Sequence, residues 1–201
     1  MTFVKLNPKH LVVCLGSLFM TMTTNAQDSL PYYTIPDAPE QYTAGSVISR
    51  MIDGLGFRYY WATEGLTDDN LSYKPSETNR TIGETVEHIY GLTNVILNAA
   101  LKKPNDRRGS SETPSGFDEI RKATLKNLET ASALMLASEA LEEHKVIFVR
   151  ETGTSDFPFW NMINGPIEDA VWHCGQVVSL RRAAGNPMPS GVSVFQGTKR
   201  N

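Results

Sequence analysis

The sequence lacks a pair of cysteines that could form a disulfide within the folded chain. Of its two cysteines, Cys14 lies in an apolar N-terminal segment that we expect to be removed, which leaves Cys174 alone. Stability must therefore come from packing. The 201 residues are enough to bury a proper core, and this length favours a single domain.

Several other features are absent, and each absence excludes a class of protein. There is no block of basic residues and the formal charge is -3, so the electrostatic footprint of a nucleic-acid-binding protein is missing. No apolar run approaches the ~20 residues that a transmembrane helix needs. The sequence also contains no nucleophile elbow, phosphate-binding loop or dinucleotide-binding motif, so these enzyme classes receive no support.

The N-terminus has the three parts of an export signal. Lys5 and Lys9 supply positive charge, residues 11–22 form a short apolar run, and Thr24-Asn25-Ala26 provides small residues for cleavage. We therefore predict a signal peptide over residues 1–26, cleaved after Ala26, and a periplasmic or secreted protein. The alternative is an internal apolar helix. Residues 27–41 then read as an extended lead-in, and residues 188–201 as an irregular tail.

Four amphipathic segments with helical spacing lie within residues 42–187. The second begins with a capping box, Thr81 to Glu84, and the third runs from about residue 114 to residue 141. The fourth is predicted to begin at Gly165-Pro166 and to end at Gly185. This pattern predicts an all-α fold, a four-helix bundle with a long crossover between helices three and four. The crossover contains two short apolar runs that form either a small β-hairpin or an extended connection.

The fourth predicted helix carries a polar stripe. Asp169, His173 and Gln176 are spaced at i, i+4 and i+7, so they share one face, and His88 lies in the second helix. Bundle cores are places where facing helices build metal sites, and the absence of a Glu-x-x-His motif limits the expectation to one metal. The alternative is a metal-free network of hydrogen-bonded polar residues. Cys174 points about 100° away around the helix and reads as a small core residue.

Two segments resemble the DinB-like family of metal-binding four-helix bundles. They are TIGETVEHI, residues 81–89, and DAVWHCGQVVSLRR, residues 169–182. The loop LTDDNLSYKP, residues 66–75, is also similar to the family's connection between helices one and two. The resemblance covers about residues 42–187 and implies the same fold.

The resemblance also implies a set of metal ligands. In this family a histidine on helix two and a His-x-x-x-His pair on helix four hold one divalent metal, often zinc or nickel. His88 matches the first ligand and His173 the last, while Asp169 stands where a histidine is usual. Cys174 replaces an arginine that often follows, and Gly175 and Gln176 are kept. Two histidines and a carboxylate would also suit iron or manganese.

Three functional expectations follow from the resemblance. The family includes thiol S-transferases and metal-dependent hydrolases, so one of these activities is expected, with Gln176 or Glu87 able to hydrogen-bond near the metal. The different reading is a metal-free bundle that acts as a binding protein with a degenerate site. A homodimer is also expected, because family members often dimerise and Tyr59, Tyr60 and Trp61 cannot all face one core.

Overall fold

Four long helices form the body of the protein within residues 29–108 and 114–200, the ranges that the computed structural model describes. They are α1 (Ala44–Thr63), α3 (Ile82–Ala100), α4 (Phe117–Leu136) and α6 (Glu168–Ala183). Helix α1 contacts α4 and α6, and α3 contacts the same two helices. The order around the bundle is therefore α1, α4, α3, α6. The predicted all-α four-helix bundle is confirmed, and its third helix is shorter than predicted at both ends.

Short elements connect and cover these helices. Helix α2 (Asp68–Leu71) lies between α1 and α3, and β1 (Asn105–Asp106) follows α3. The crossover contains β2 (Val146–Arg150) and β3 (Gly153–Phe157), an antiparallel hairpin, with β1 parallel to β2. The small hairpin that the sequence allowed is therefore present. In the tail, β4 (Val192–Ser193) pairs with β5 (Thr198–Lys199).

The capping box fixes where α3 begins. The Thr81 backbone N–H donates to Glu84 Oε2 at 2.7 Å, and the Glu84 backbone N–H donates to Thr81 Oγ1 at 3.0 Å. Two of the donors that a helix start leaves unpaired are satisfied in this way. The predicted start is confirmed, and His88 consequently lies about two turns inside the helix.

The start of the fourth helix differs from the prediction. Helical backbone begins at α5 (Trp160–Met162) and continues through a π-helical turn (Ile163–Ile167) into α6. Gly165 has φ -86° and ψ -105°, outside the helical region, and Pro166 follows it. Proline has no N–H to donate within a helix, and its ring crowds the preceding turn. The helix is therefore kinked at Gly165-Pro166 and does not begin there. Asp169 therefore lies in the first turn of α6.

The lead-in segment is part of the core. Tyr32 is buried against α1, and a Cβ on Gly56 would lie 2.5 Å from the Tyr32 ring. Only glycine permits this approach, because real Cβ atoms do not come so close to other heavy atoms. Arg181, also buried, donates to the carbonyls of Trp61 at 3.1 Å and Ala62 at 2.9 Å. These bonds join the end of α6 to the end of α1.

None of the three aromatic side chains at residues 59–61 of α1 is fully exposed, although Tyr60 is only partly buried. Tyr59 and Trp61 are buried, the Trp61 ring packs against Tyr33, and the Arg121 guanidinium covers Tyr60 at 4.8 Å. The partial cover over Tyr60 weakens this argument for a dimer, and the dimer stays a prediction. The lead-in and α4 cover the aromatics that helical geometry turns away from the centre of the bundle. Among the helices of residues 29–108 and 114–200, none is both long and apolar enough to cross a membrane.

Candidate metal centre

Two neighbouring helices bring three ligand groups together. His88 comes from α3, and Asp169 and His173 come from consecutive turns of α6. His88 Nε2 lies 3.5 Å from Asp169 Oδ2, and His173 Nε2 lies 3.3 Å from Asp169 Oδ1. One ligand atom from each residue lies within 4.8 Å of the others. The cluster therefore contains two imidazole nitrogens and one carboxylate, from residues up to 85 positions apart in the sequence.

The cluster is open to solvent on one side. The His173 side chain is 12% exposed, while those of His88 and Asp169 are 33% and 36% exposed. The two rings meet edge to face, with centroids 4.6 Å apart and an angle of 89° between their planes. Both rings are thus held by packing, and a small molecule or ion can still reach the atoms between them.

Gln176 holds the ring of His173. Its Oε1 atom lies 2.7 Å from His173 Nδ1, and because an amide oxygen only accepts, the proton of this bond belongs to Nδ1. In the neutral imidazole, Nε2 then carries a lone pair that faces Asp169. Metal-binding histidines are usually held through their second nitrogen in this way. The structure brings Gln176 to the cluster, whereas Glu87 is exposed and has no contact with it.

Burial lowers the pKa of His88, and the charges of Arg80 and His173 lower it further, while Asp169 acts in the opposite direction. The neutral form of this imidazole is therefore favoured at neutral pH, and the neutral form is the one that binds metals. Both imidazoles lie within ion-pairing distance of the Asp169 carboxylate.

The spacing and chemistry of the cluster fit a divalent metal ion. Two ligand atoms that are each about 2.1 Å from a tetrahedral ion lie ~3.4 Å from each other. The two distances to Asp169, 3.3 and 3.5 Å, bracket this value. Imidazole suits zinc, nickel and iron, and a carboxylate extends the set to manganese. The predicted ligands therefore meet at a separation that one ion could bridge.

Cys174 does not join the cluster. It is 2% exposed, and burial raises the pKa of its thiol to about 12. A thiol with this pKa stays protonated and is a poor nucleophile or ligand. The neighbouring residues of α6 thus face in different directions, His173 toward the cluster and Cys174 into the core.

A cavity of about 490 Å³ adjoins the cluster, and sequence reasoning missed two of its residues. His173 and Gln176 form part of its wall, together with Arg80 from the start of α3 and Trp172 from α6. Trp172 is 70% exposed. The available signals in the sequence were a tryptophan directly before a predicted ligand and an arginine directly before a capping box.

Comparison with known proteins identifies the fold. No protein-family model matches the sequence, and no curated protein matches it significantly. A solved structure, that of the DinB-like protein YjoA from Bacillus subtilis, is similar with a TM-score of 0.52 and 18% identity. The match covers 76% of this chain and 99% of that chain. The chain therefore has a DinB-like fold, and the resemblance seen in the sequence is confirmed at the level of the fold.

Proposed function

We propose that His88, Asp169 and His173 hold one divalent metal ion and that the protein is a metal-dependent hydrolase or thiol S-transferase. The observation that carries the proposal is the convergence of three ligand atoms at separations that suit a single ion. Three protein ligands leave a coordination position for a substrate or water, as in catalytic rather than structural sites.

The chain's own residues have distinct roles in this proposal. A bound divalent ion would supply Lewis-acid activation of a water or a thiol. Gln176 keeps the Nδ1 proton of His173 in place, so that Nε2 points its lone pair at the centre. Asp169, in the first turn of α6, contributes the carboxylate ligand. The adjoining cavity gives a small molecule access to the same side.

Metal titration tests the proposal. Protein produced without a histidine tag is treated with a chelator, dialysed, and titrated separately with zinc, nickel, iron(II) and manganese. We expect one ion per chain for at least one of these metals, and weaker binding after Asp169→Asn, which keeps the shape and removes the charge. Asp53→Asn, in the other aspartate cluster of the bundle, serves as the control and leaves metal affinity unchanged. Failure of all four metals to bind stoichiometrically would favour the metal-free binding protein.

Export is a separate part of the proposal. Residues 1–28 lie outside the described ranges, so the signal peptide is supported by its sequence pattern alone. The test is N-terminal sequencing of the protein isolated from its native host. A mature chain that begins at or near Gln27 is expected, and an intact Met1 would contradict export.

The homodimer stays a prediction that depends on the family resemblance. None of the aromatic side chains at residues 59–61 is fully exposed, so this argument for it is weakened. Light scattering over a range of concentrations decides the point. A mass of one chain at the highest concentration would reject the dimer.

A further inference from the structure

The cavity beside the metal centre has one side that is positively charged. Arg80 contributes to its wall, and no hydrogen bond or ion pair of Arg80 is present among residues 29–108 and 114–200. Hydrogen bonds with Thr81 lower the pKa of Glu84 and the charge of Arg80 lowers it further, but the Glu84 carboxylate accepts its hydrogen bond from the backbone N–H of Thr81, at 2.7 Å. The guanidinium is therefore available to an incoming anion.

A second side of the cavity is aromatic. Trp172 is 70% exposed, and Leu180 adds apolar surface nearby. Large exposed tryptophans are uncommon on surfaces that contact only water, and they are enriched where proteins bind other molecules. The remaining wall is polar but uncharged, with Thr85 and Ser179 among its residues. The cavity thus offers one cation, one aromatic face and several hydroxyl groups.

We propose that this cavity binds a small organic carboxylate, with the carboxylate at Arg80 and an apolar or aromatic body against Trp172. The inference rests on the proposed function in one respect, because it places the reacting group of that molecule toward His173 and the metal. The volume of about 490 Å³ lies within the range of small-molecule sites. A guanidinium matches a carboxylate through two parallel hydrogen bonds, and a single Arg80 balances a single negative charge.

A matched pair of probes tests the charge. Benzoate and benzamide have nearly the same shape, and only benzoate carries a charge. We expect the zinc-loaded protein to bind benzoate at least about 10-fold more tightly, a difference of ~1.4 kcal/mol. Isothermal titration calorimetry measures both affinities. Equal affinities for the two probes would overturn the inference, and so would tighter binding of phenyl phosphate than of benzoate.

Arg80→Gln tests which residue selects the anion. The variant should lose the preference for benzoate, in zinc-loaded and in metal-free protein alike. Persistence in metal-free protein separates pairing with Arg80 from direct ligation of the ion. Arg150→Gln is the matched control, since β2 lies beside β1 at the far end of α3, whose 19 residues span ~28 Å. An unchanged preference in Arg80→Gln would overturn the assignment.

Trp172→Ala tests the aromatic wall. Benzoate and benzamide should both bind about 5-fold or more weakly, with the ratio between them retained, because the tryptophan contacts the ring that both probes share. Trp160→Ala is the matched control, because Trp160 is also 70% exposed and does not line the cavity. Equal losses in the two variants would count against the cavity as the binding site.

Metal titration of the same variants distinguishes this inference from the proposed function. Arg80→Gln and Trp172→Ala should bind zinc as the unchanged protein does. Absence of zinc binding together with Arg80-dependent binding of benzoate would overturn the metal centre and support the anion site. Normal zinc binding with benzoate affinity independent of Arg80 would do the reverse.

Discussion

Two aspartates in this bundle have different kinds of partner: hydroxyl groups surround the first, and histidine rings surround the second. Asp53, on α1, is 7% exposed and accepts from Tyr32 Oη at 3.1 Å and from Ser132 Oγ at 2.5 Å. Asp169, on α6, lies between His88 and His173, whose Nε2 atoms are 3.5 and 3.3 Å from its two oxygens. In the first cluster, hydroxyl groups of the protein supply the hydrogen-bond donors for the aspartate. The second gathers acceptor atoms, which favours a cation between them.

His144 gives the same contrast among histidines. It is 3% exposed, with Nδ1 3.1 Å from the Ala99 carbonyl oxygen and Nε2 2.8 Å from Ser138 Oγ. Both nitrogens are thus used in structure. His88 and His173 leave their Nε2 atoms facing Asp169 instead. A saturated polar cluster stabilises the fold, whereas an unsaturated one can serve a ligand.

The largest effect should follow from removal of a metal ligand. His173→Ala takes away one nitrogen and the group that Gln176 holds, so metal affinity should fall by more than about 100-fold. Equilibrium dialysis with zinc measures this loss. Asp53→Asn should bind zinc with unchanged affinity. An equal loss of zinc affinity in His173→Ala and Asp53→Asn would contradict the assignment of the metal site to the Asp169 cluster alone.

Removal of the other aspartate should act on stability. Asp53→Ala leaves the hydroxyls of Tyr32 and Ser132 without their shared acceptor, and Ser132 retains its bonds with Ser49, to Oγ at 2.8 Å and to the backbone carbonyl at 3.3 Å. The free energy of unfolding should fall by ~1–3 kcal/mol. Urea denaturation followed by circular dichroism measures it. A change below the experimental error would show that these bonds add nothing to the fold.

The pH dependence of stability sharpens the same contrast. Burial raises the pKa of Asp53 above its ordinary value of 3.8, although the bonds from Ser132 and Tyr32 oppose this. A group with a raised folded pKa contributes stability that is present below the unfolded pKa and lost as pH rises through the folded pKa. As pH rises from below 3.8, the unchanged protein should therefore lose free energy of unfolding relative to Asp53→Asn, which has no carboxyl group to ionise at this position. Urea titrations at several pH values test this, and the opposite slope would contradict it.

The smallest effect should come from Asp169→Asn in metal-free protein. An asparagine amide can donate a proton to a histidine nitrogen, so the variant can keep a contact with the histidines while it loses the charge. The Asp169 side chain is 36% exposed, and we expect unfolding to change by no more than about 0.5 kcal/mol. Thermal denaturation after chelation provides the measurement. A loss as large as that of Asp53→Ala would make Asp169 a structural residue.

Local sequence patterns determined the elements of this protein. The capping box at Thr81, the helical spacing of apolar residues and the placement of Asp169 and His173 on one face involve residues only three or four positions apart. Such relations are set by helix geometry, whatever the rest of the chain does. The four helices, and the pairing of two of the three candidate ligands, could therefore be predicted from the sequence. His88 was added because facing helices of a bundle can share a metal site, and the family resemblance supported the choice.

Only the tertiary structure decided what lies next to what. The order of helices around the bundle places α3 beside α6, and this brings His88 to within 3.5 Å of Asp169. The lead-in covers Trp61, which helical periodicity left on the outside. Arg80 and Trp172 line the same cavity, although they are far apart in the sequence. These contacts depend on how whole helices and loops pack. That packing is set by many residues far apart in the sequence, because each element buries its apolar face against several others.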